Sequence, residues 1–257
     1  MRVMTWNILD GGVGREQLIA AVVEAVQPDV LVLQEVYDNG FIQRLANDLS
    51  MQHFIAQGNS TRHMALLSRL PIRSAAAYHP YPPIQHVALE AEIEHPQLGS
   101  LWVFGVHLLP MLSLMREAWR MWEISAVLRR IGDRRRGPCL VAGDFNTVAR
   151  DDSVRADPTP SLRRKVRWLQ SKRAFRIAVG RMKAGGFHDC YRQLQPDIPG
   201  YTLPTPDPGV RLDYIFASTL LAAQLRSCTV VTDPPAVHRA SDHYPVVAEF
   251  TPGKLGA

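Results

Sequence analysis

The sequence predicts an α/β fold in which two mixed β-sheets pack face to face with helices on the outside. Three observations carry this. Runs of strand length outnumber helical stretches, a β-α-β pattern occurs near the N-terminus and again in mid-chain, and both parallel crossovers and hairpin-length connections are present. No Ser/Gly-rich linker divides the 257 residues, so one domain over residues 1–251 with a short tail at 252–257 is expected.

Residues 2–6 alternate and are β-branched enough for a strand. Residues 15–26 have helical composition and stop ahead of Pro28, since the residue before a proline is pushed out of the helical region. The apolar run 30–33 then suits a strand buried on both faces, completing a first β-α-β unit. Residues 64–68, 74–78 and 86–94 read as strands, the last two separated by the proline-rich turn at 80–83. The opening pattern now recurs: a strand at 101–106, a long helix at 112–131 with Trp119 and Trp122 on one side, and a second buried strand at 138–142. Strands at 212–216, 225–231 and 246–250 complete the set. The recurrence is a sign of internal duplication.

Composition limits the function classes. With 46% hydrophobic and 21% charged residues the chain can bury a sizeable core and is not a disordered polymer. Three cysteines, Cys139, Cys190 and Cys228, have no C-x-x-C spacing, so neither a disulfide framework nor a cysteine zinc site is expected. The N-terminal residues already read as a strand, which leaves no room for a signal peptide. The longest apolar run, near residues 18–26, is broken by Glu24, so no membrane span is expected. Together these point to a cytoplasmic protein.

The net charge of +5 is unevenly distributed. Residues 161–183 hold nine of the 29 Lys and Arg and no acid, leaving 20 basic against 24 acidic residues elsewhere. Such a patch suits a polyanion, either nucleic acid or an anionic membrane surface; a solvated helix face is the bland alternative. Leu162, Val166 and Leu169 stand at helical spacing while Arg163, Arg164 and Arg167 fall largely elsewhere, giving an amphipathic segment. These three arginines are candidate substrate contacts, along a phosphate backbone or, with Trp168 and Phe175, on a bilayer. No feature points to a protein partner.

In both β-α-β units each strand runs into a polar residue: Asn7 and Glu35 in the first, His107 and Asp144 in the second. Ligand sites in α/β sheets gather at strand carboxyl ends, so these four can share one rim. A hard divalent cation needs only one or two carboxylates plus substrate phosphate. Glu35 is the first candidate ligand and Asp242 the second. Hydrolysis of a phosphate ester further requires an activated water and neutralised phosphoryl oxygens. Asp144, in Gly143-Asp144-Phe145-Asn146 directly after a buried strand, suits the water, and the Asn146 amide can donate to phosphate. An Asx turn is the structural alternative for that segment. His243 follows Asp242, with Asp213 the expected orienting carboxylate, and His107 is a second candidate phosphate contact or proton donor. The other seven histidines, His86 among them, are read as structural.

Thr5-Trp6-Asn7, Leu33-Gln34-Glu35, Gly143 to Asn146, Arg211-Leu212-Asp213-Tyr214-Ile215 and Ser241-Asp242-His243-Tyr244-Pro245-Val246 together resemble the signature segments of the endonuclease/exonuclease/phosphatase superfamily, in the family's order. The resemblance runs from Arg2 to Phe250. It implies a four-layer α/β/β/α sandwich and cleavage of phosphodiesters with Mg²⁺ or Mn²⁺. It further implies Asn7 and Glu35 at the metal, Asp144 and Asn146 at water and phosphate, Asp213 paired with His243, and Asp242 completing the metal site. His107 departs from the abasic-site repair members, which carry a tyrosine there, and Gly209-Val210 stand where those members have an aromatic residue. His107 is instead similar to the deoxyribonuclease I, sphingomyelinase and inositol-phosphatase branches, although the sequence offers no evident acidic partner for it. A glycine often found before the Ala65-Leu66-Leu67-Ser68 type of strand is replaced by Arg62-His63-Met64. A nuclease is the leading expectation. A phospholipid or inositol-phosphate phosphoesterase comes second, and a catalytically silent binding scaffold third.

Overall fold

The structure is a computed structural model that describes residues 1–82, 84–111, 113–155, 176–251 and 253. Arg163, Arg164 and Arg167 lie outside the described residues, as does most of the basic stretch.

In chain order the main elements are β1 (Arg2–Asn7), α1 (Glu16–Val26), β2 (Val30–Val36), α2 (Asn39–Asp48), β3 (Gln52–Ala56), β4 (His63–Ser68), β5 (Ile72–Tyr78), β6 (Ala88–His95), β7 (Gly99–His107), α3 (Leu114–Ile131), β8 (Cys139–Asp144), β9 (Phe187–Asp189), β10 (Asp213–Ser218), β11 (Leu225–Val230) and β12 (Val246–Phe250). Shorter helices lie between β8 and β12, among them Ala178–Ala184 and Val237–Ala240. Helix α3 starts at Leu114, where the Ser113 hydroxyl accepts the Arg116 N–H and caps the first turn. Strand β6 starts at Ala88, so His86 sits in the loop before it, two residues outside the strand expected there.

The strands form two six-stranded sheets, ordered β11-β12-β1-β2-β4-β3 and β5-β6-β7-β8-β10-β9. Both follow one plan. In the first, β1 pairs antiparallel with β12 and parallel with β2, which pairs antiparallel with β4. In the second, β7 pairs antiparallel with β6 and parallel with β8, which pairs antiparallel with β10. The duplication legible in sequence is thus a duplication of sheet topology. The two parallel pairs, each joined through a helix, are its centre.

Side chains in a strand alternate between faces, and here each face has its own core. Val30 and Val32 of β2 join Val3, Leu66, Leu89, Val103, Leu140 and Ile215 in the cluster between the sheets. Leu31 and Leu33 point the other way, onto Ile19, Val22 and Val23 of α1 and Phe41 and Leu45 of α2. On the far side Phe104, Val141 and Phe216 pack against Ile124, Val127 and Ile131 of α3. The result is the α/β/β/α sandwich. All three cysteines are buried and free, and no helix among the described residues is long and apolar enough to cross a membrane.

Candidate active site

The site forms where the carboxyl ends of the central parallel strands of both sheets meet. Asn7 ends β1 and pairs in register with Gln34 of β2. Glu35 occupies an irregularity in the β2–β4 ladder, between Gln34 and Val36, with φ at 60°. A bulge of this kind re-aims a side chain, and it turns Glu35 toward Asn7. In the second sheet His107, the last residue of β7, pairs with Asp144, the last of β8, and Asp144 pairs with Asp213, the first of β10. Gly143 makes this possible. Its φ is 150°, and a Cβ there would stand 1.9 Å from the Val106 carbonyl oxygen, so only glycine permits this approach of β8 to β7.

Asn7 joins the two halves. Its Nδ2 donates to Glu35 Oε1 at 3.2 Å and to Asp144 Oδ2 at 3.1 Å, while its Oδ1 accepts the Leu9 N–H at 3.0 Å. The amide therefore turns its NH₂, not its oxygen, to the carboxylates. Asn146 holds Asp144 from the other side. Its backbone N–H donates to Asp144 Oδ1 at 2.8 Å, and its Nδ2 donates to Asp144 Oδ2 at 3.2 Å and to the Leu108 carbonyl at 3.0 Å. Both amide N–H groups are engaged inside the protein, so Asn146 faces Asp144 where the sequence suggested a phosphate. Its φ of 49° is a left-handed conformation that asparagine tolerates.

His243 Nδ1 and Asp213 Oδ2 are 2.8 Å apart, and His243 Nε2 lies 3.9 Å from Asp144 Oδ2. The Trp6 indole donates to the His243 carbonyl, and the Ser241 hydroxyl donates to the Asn7 carbonyl and accepts the His243 N–H, so the 241–243 turn is tied to the end of β1. Asp242, between them, is half-buried, and its Oδ1 lies 3.5 Å from Ser241 Oγ. His107 Nε2 lies 3.8 Å from Glu35 Oε1 and 3.7 Å from Asp144 Oδ2.

Burial sets the electrostatics. Asp144 is 1% exposed, and loss of water pushes its carboxyl up to about 7, with the His243 charge opposing and Asp213 adding to the shift. Burial pushes His243 toward neutrality, but Asp213 and then Asp144 outweigh it and raise the imidazole to about 10. His243 is therefore an imidazolium at neutral pH. His107 has the opposite fate: burial, the neighbouring His86 and His243 rings, and Arg62 all lower it well below the usual histidine range. It is a neutral ring, able to donate a hydrogen bond but not poised to release a proton.

Two contributors were not legible in the sequence. The His86 ring stacks on His107 with centroids 4.3 Å apart, and burial followed by the Arg62 charge lowers its pKa to about 4. Arg62 Nε lies 3.4 Å from Glu35 Oε2, and the same guanidinium contacts Asp10 and Tyr37. Neither residue sits in a strand, so no periodicity marks it. Among the described residues no acidic partner meets His107 Nδ1, which is buried without a hydrogen bond. Arg211, two residues before Asp213, is 1% exposed and grips Asp152 and Asp189 with four hydrogen bonds. It braces the segment that carries Asp213 and does not face the cleft carboxylates.

The donor set fits a hard divalent cation. Glu35 and Asp144 converge on one amide, the Asp213 Oδ1 is buried without a partner, and the charge opposing these acids comes from Arg62 at one edge and His243 at the other. Asp144, Asp213 and His243 also present ligand atoms within 4.8 Å of one another. In that trio, however, His243 Nδ1 and Asp213 already bind each other, which makes it a histidine–carboxylate pair. Carboxylate oxygens are the donors a hard divalent cation prefers, and Glu35 and Asp144 supply them on either side of the Asn7 amide.

Known proteins share this architecture. The chain is 25% identical over 276 residues to exodeoxyribonuclease III of Haemophilus influenzae, an alignment spanning 97% of this chain and all of that one. A 3' phosphatase, NExo, from Neisseria bound to product DNA hairpin superposes with a TM-score of 0.77 at 22% identity, over 98% of this chain and 99% of the other. An AP endonuclease from Archaeoglobus fulgidus gives 0.77 at 18% identity, over 97% and 99%. Residues 4–243, which span every candidate site residue from Asn7 to His243, match the endonuclease/exonuclease/phosphatase family model, and the chain belongs to that family.

Proposed function

We propose that this protein is a divalent-metal-dependent phosphodiesterase that cleaves nucleic acid. The observation that carries the reading is the convergence of Glu35, Asn7, Asp144, Asp213 and His243 at one point between the sheets, inside a chain whose family and relatives hydrolyse phosphoesters. Glu35 and Asp242 would hold the cation, with Asn7 fixing Glu35 against Asp144. A bound Mg²⁺ or Mn²⁺ supplies neutralisation of a phosphoryl oxygen.

The protein's own groups do the rest. Asp144, ionised, accepts the proton of the attacking water as its oxygen bonds to phosphorus and the P–O bond to the leaving oxygen breaks, the departing alkoxide then taking a proton from solvent; a base held near pH 7 is matched to that task. Asn146 fixes the orientation of Asp144. His243, kept charged by Asp213, donates through Nε2 to a phosphoryl oxygen and stabilises its growing charge. His107 offers a neutral N–H from the opposite side. Arg163, Arg164 and Arg167 are proposed to track the phosphate backbone.

His107 also favours a second reading, a phospholipid or inositol-phosphate substrate, since branches of those kinds resemble this chain there. A panel tests both: bis(p-nitrophenyl) phosphate, single- and double-stranded DNA, RNA, sphingomyelin and inositol phosphates, with Mg²⁺ or Mn²⁺ and then excess chelator, and Asp144→Ala and His243→Ala as blanks. Chelator-sensitive cleavage of DNA or RNA is expected. Cleavage of lipid or inositol phosphate alone would favour the second reading, and cleavage of nothing would leave a binding scaffold.

A further inference from the structure

We infer that the cleft beside His86 and His107 seats an unstacked nucleobase of the substrate strand, with the Trp119 indole as its platform. This rests on the nucleic-acid reading above and narrows it to a strand whose bases are free of a duplex at the cleaved end.

The cleft has a volume of about 500 Å³ and is lined by Asn59, Ile84, Gln85, Leu109 and Trp119. It adjoins the catalytic cluster through the chain itself, because Gln85 precedes His86 and Leu109 follows His107 by two residues. Its chemistry is that of a base site. Ile84, Leu109 and the indole supply apolar faces, Asn59 and Gln85 supply amides for a base edge, and no carboxylate among the lining residues repels a polyanion.

The walls are fixed from behind. Glu123, fully buried in α3 and one helical turn past Trp119, accepts the Gln85 N–H at 2.8 Å through Oε1 and the Leu109 N–H at 3.0 Å through Oε2. One carboxylate thus clamps both loops to the helix that carries the platform. A buried acid is costly unless so bonded, which marks the cleft as a built feature. Trp119 is 40% exposed although it is an indole, and it rests on Trp122 with ring centroids 5.4 Å apart. That contact holds the ring while leaving a face for a ligand. The apolar strip continues outward over Leu114 and Met115, which are also exposed.

Stacking of a base on an aromatic side chain corresponds to about a 5- to 150-fold effect on affinity. The test compares wild type, Trp119→Ala and Trp119→Phe on three substrates: a single-stranded oligodeoxynucleotide, the same strand with abasic spacers flanking the cleaved linkage, and bis(p-nitrophenyl) phosphate. Trp119→Ala should raise KM for the intact strand within that range and leave hydrolysis of the small ester unchanged. Trp119→Phe should recover most of the loss, and the spacer strand should be cleaved alike by all three proteins. Equal losses on strand and small ester, or no loss on the strand, would overturn the platform. So would intact strand cleavage with lost binding to phosphatidylserine vesicles, which would assign the strip to a lipid surface. If wild type hydrolyses the small ester but no nucleic acid, the substrate reading itself falls; if wild type cleaves the strand and Trp119→Ala equals it, only the platform falls.

Discussion

Asn7 and Asp144 lie 137 positions apart and meet across the two sheets, amide Nδ2 to carboxylate Oδ2 at 3.1 Å. The same Nδ2 reaches Glu35, so one small side chain sets the spacing between the expected metal ligand and the expected base. Two copies of one sheet plan face each other, and the ends of their parallel strands are where they exchange hydrogen bonds.

Asp144 is the group whose loss should affect chemistry most and folding least. Asp144→Ala is expected to lower turnover by about 10²- to 10⁴-fold, the usual contribution of a positioned base. Its stability effect has a defined sign. The folded carboxyl is raised to about 7 from 3.8, so the neutral form is favoured by folding. That contribution is complete below the unfolded value and is lost as pH rises through about 7. In metal-free buffer, wild type should lose Tm between pH 5 and 8 more steeply than Asp144→Ala. Parallel melting curves for the two proteins would contradict the assignment.

Asp213 acts through His243. Burial on its own would lower the imidazole, and it is Asp213, then Asp144, that raise it to about 10. Asp213→Asn should therefore let burial win, and the alkaline limb of the pH–rate profile should move to lower pH. In stability terms the raised histidine contributes fully below about 6.5 and loses that contribution as pH climbs through about 10. A profile measured on bis(p-nitrophenyl) phosphate avoids any titration of nucleic acid. An unmoved alkaline limb would mean that His243 does not act in its charged form.

Much of this arrangement was legible in the sequence because strands and strand ends leave local signals. Runs such as Val30 to Leu33 alternate between two cores, and the polar residue that closes each run points into the cleft. Helix α2 was not foreseen; the Asp38 carboxylate accepts the Gly40 N–H and starts the helix in spite of the glycine in its first turn. Strands β3 and β9 are edge strands of five and three residues, too short and too polar for periodicity to show. At the site, Arg62 and His86 reach the cluster from loops, and only three-dimensional proximity reveals them. The Asn146 amide was expected at a phosphate because an unengaged donor cannot be told from an engaged one without coordinates.

Arg211 carries a structural prediction. Its guanidinium is buried against Asp152 and Asp189 and lies 4.3 Å from the centre of the Tyr214 ring. Removing one member of such a group leaves buried charges uncompensated, which costs roughly 3–5 kcal/mol. Arg211→Met should lower stability by about that amount in urea unfolding, with an unchanged m-value. A loss below about 1 kcal/mol would show that Asp152 and Asp189 find other partners, such as Arg192, already 2.9 Å from Asp152.

Cation binding can be read without turnover. Glu35, Asp144 and Asp213 crowd one cleft, and a ligand that binds only the folded state adds about 2.7 kcal/mol at a hundredfold excess over its Kd. Mg²⁺ or Mn²⁺ should therefore raise the Tm of wild type, and Ca²⁺ serves as a larger hard cation for comparison. Glu35→Ala removes the first oxygen ligand and also frees Asn7 from one of its two carboxylate contacts. The variant should fold, and its Tm should no longer respond to either ion. A full metal response in Glu35→Ala, together with none in Asp213→Asn, would move the ion to the Asp144, Asp213 and His243 trio and exchange the roles given to the two sides of the cleft.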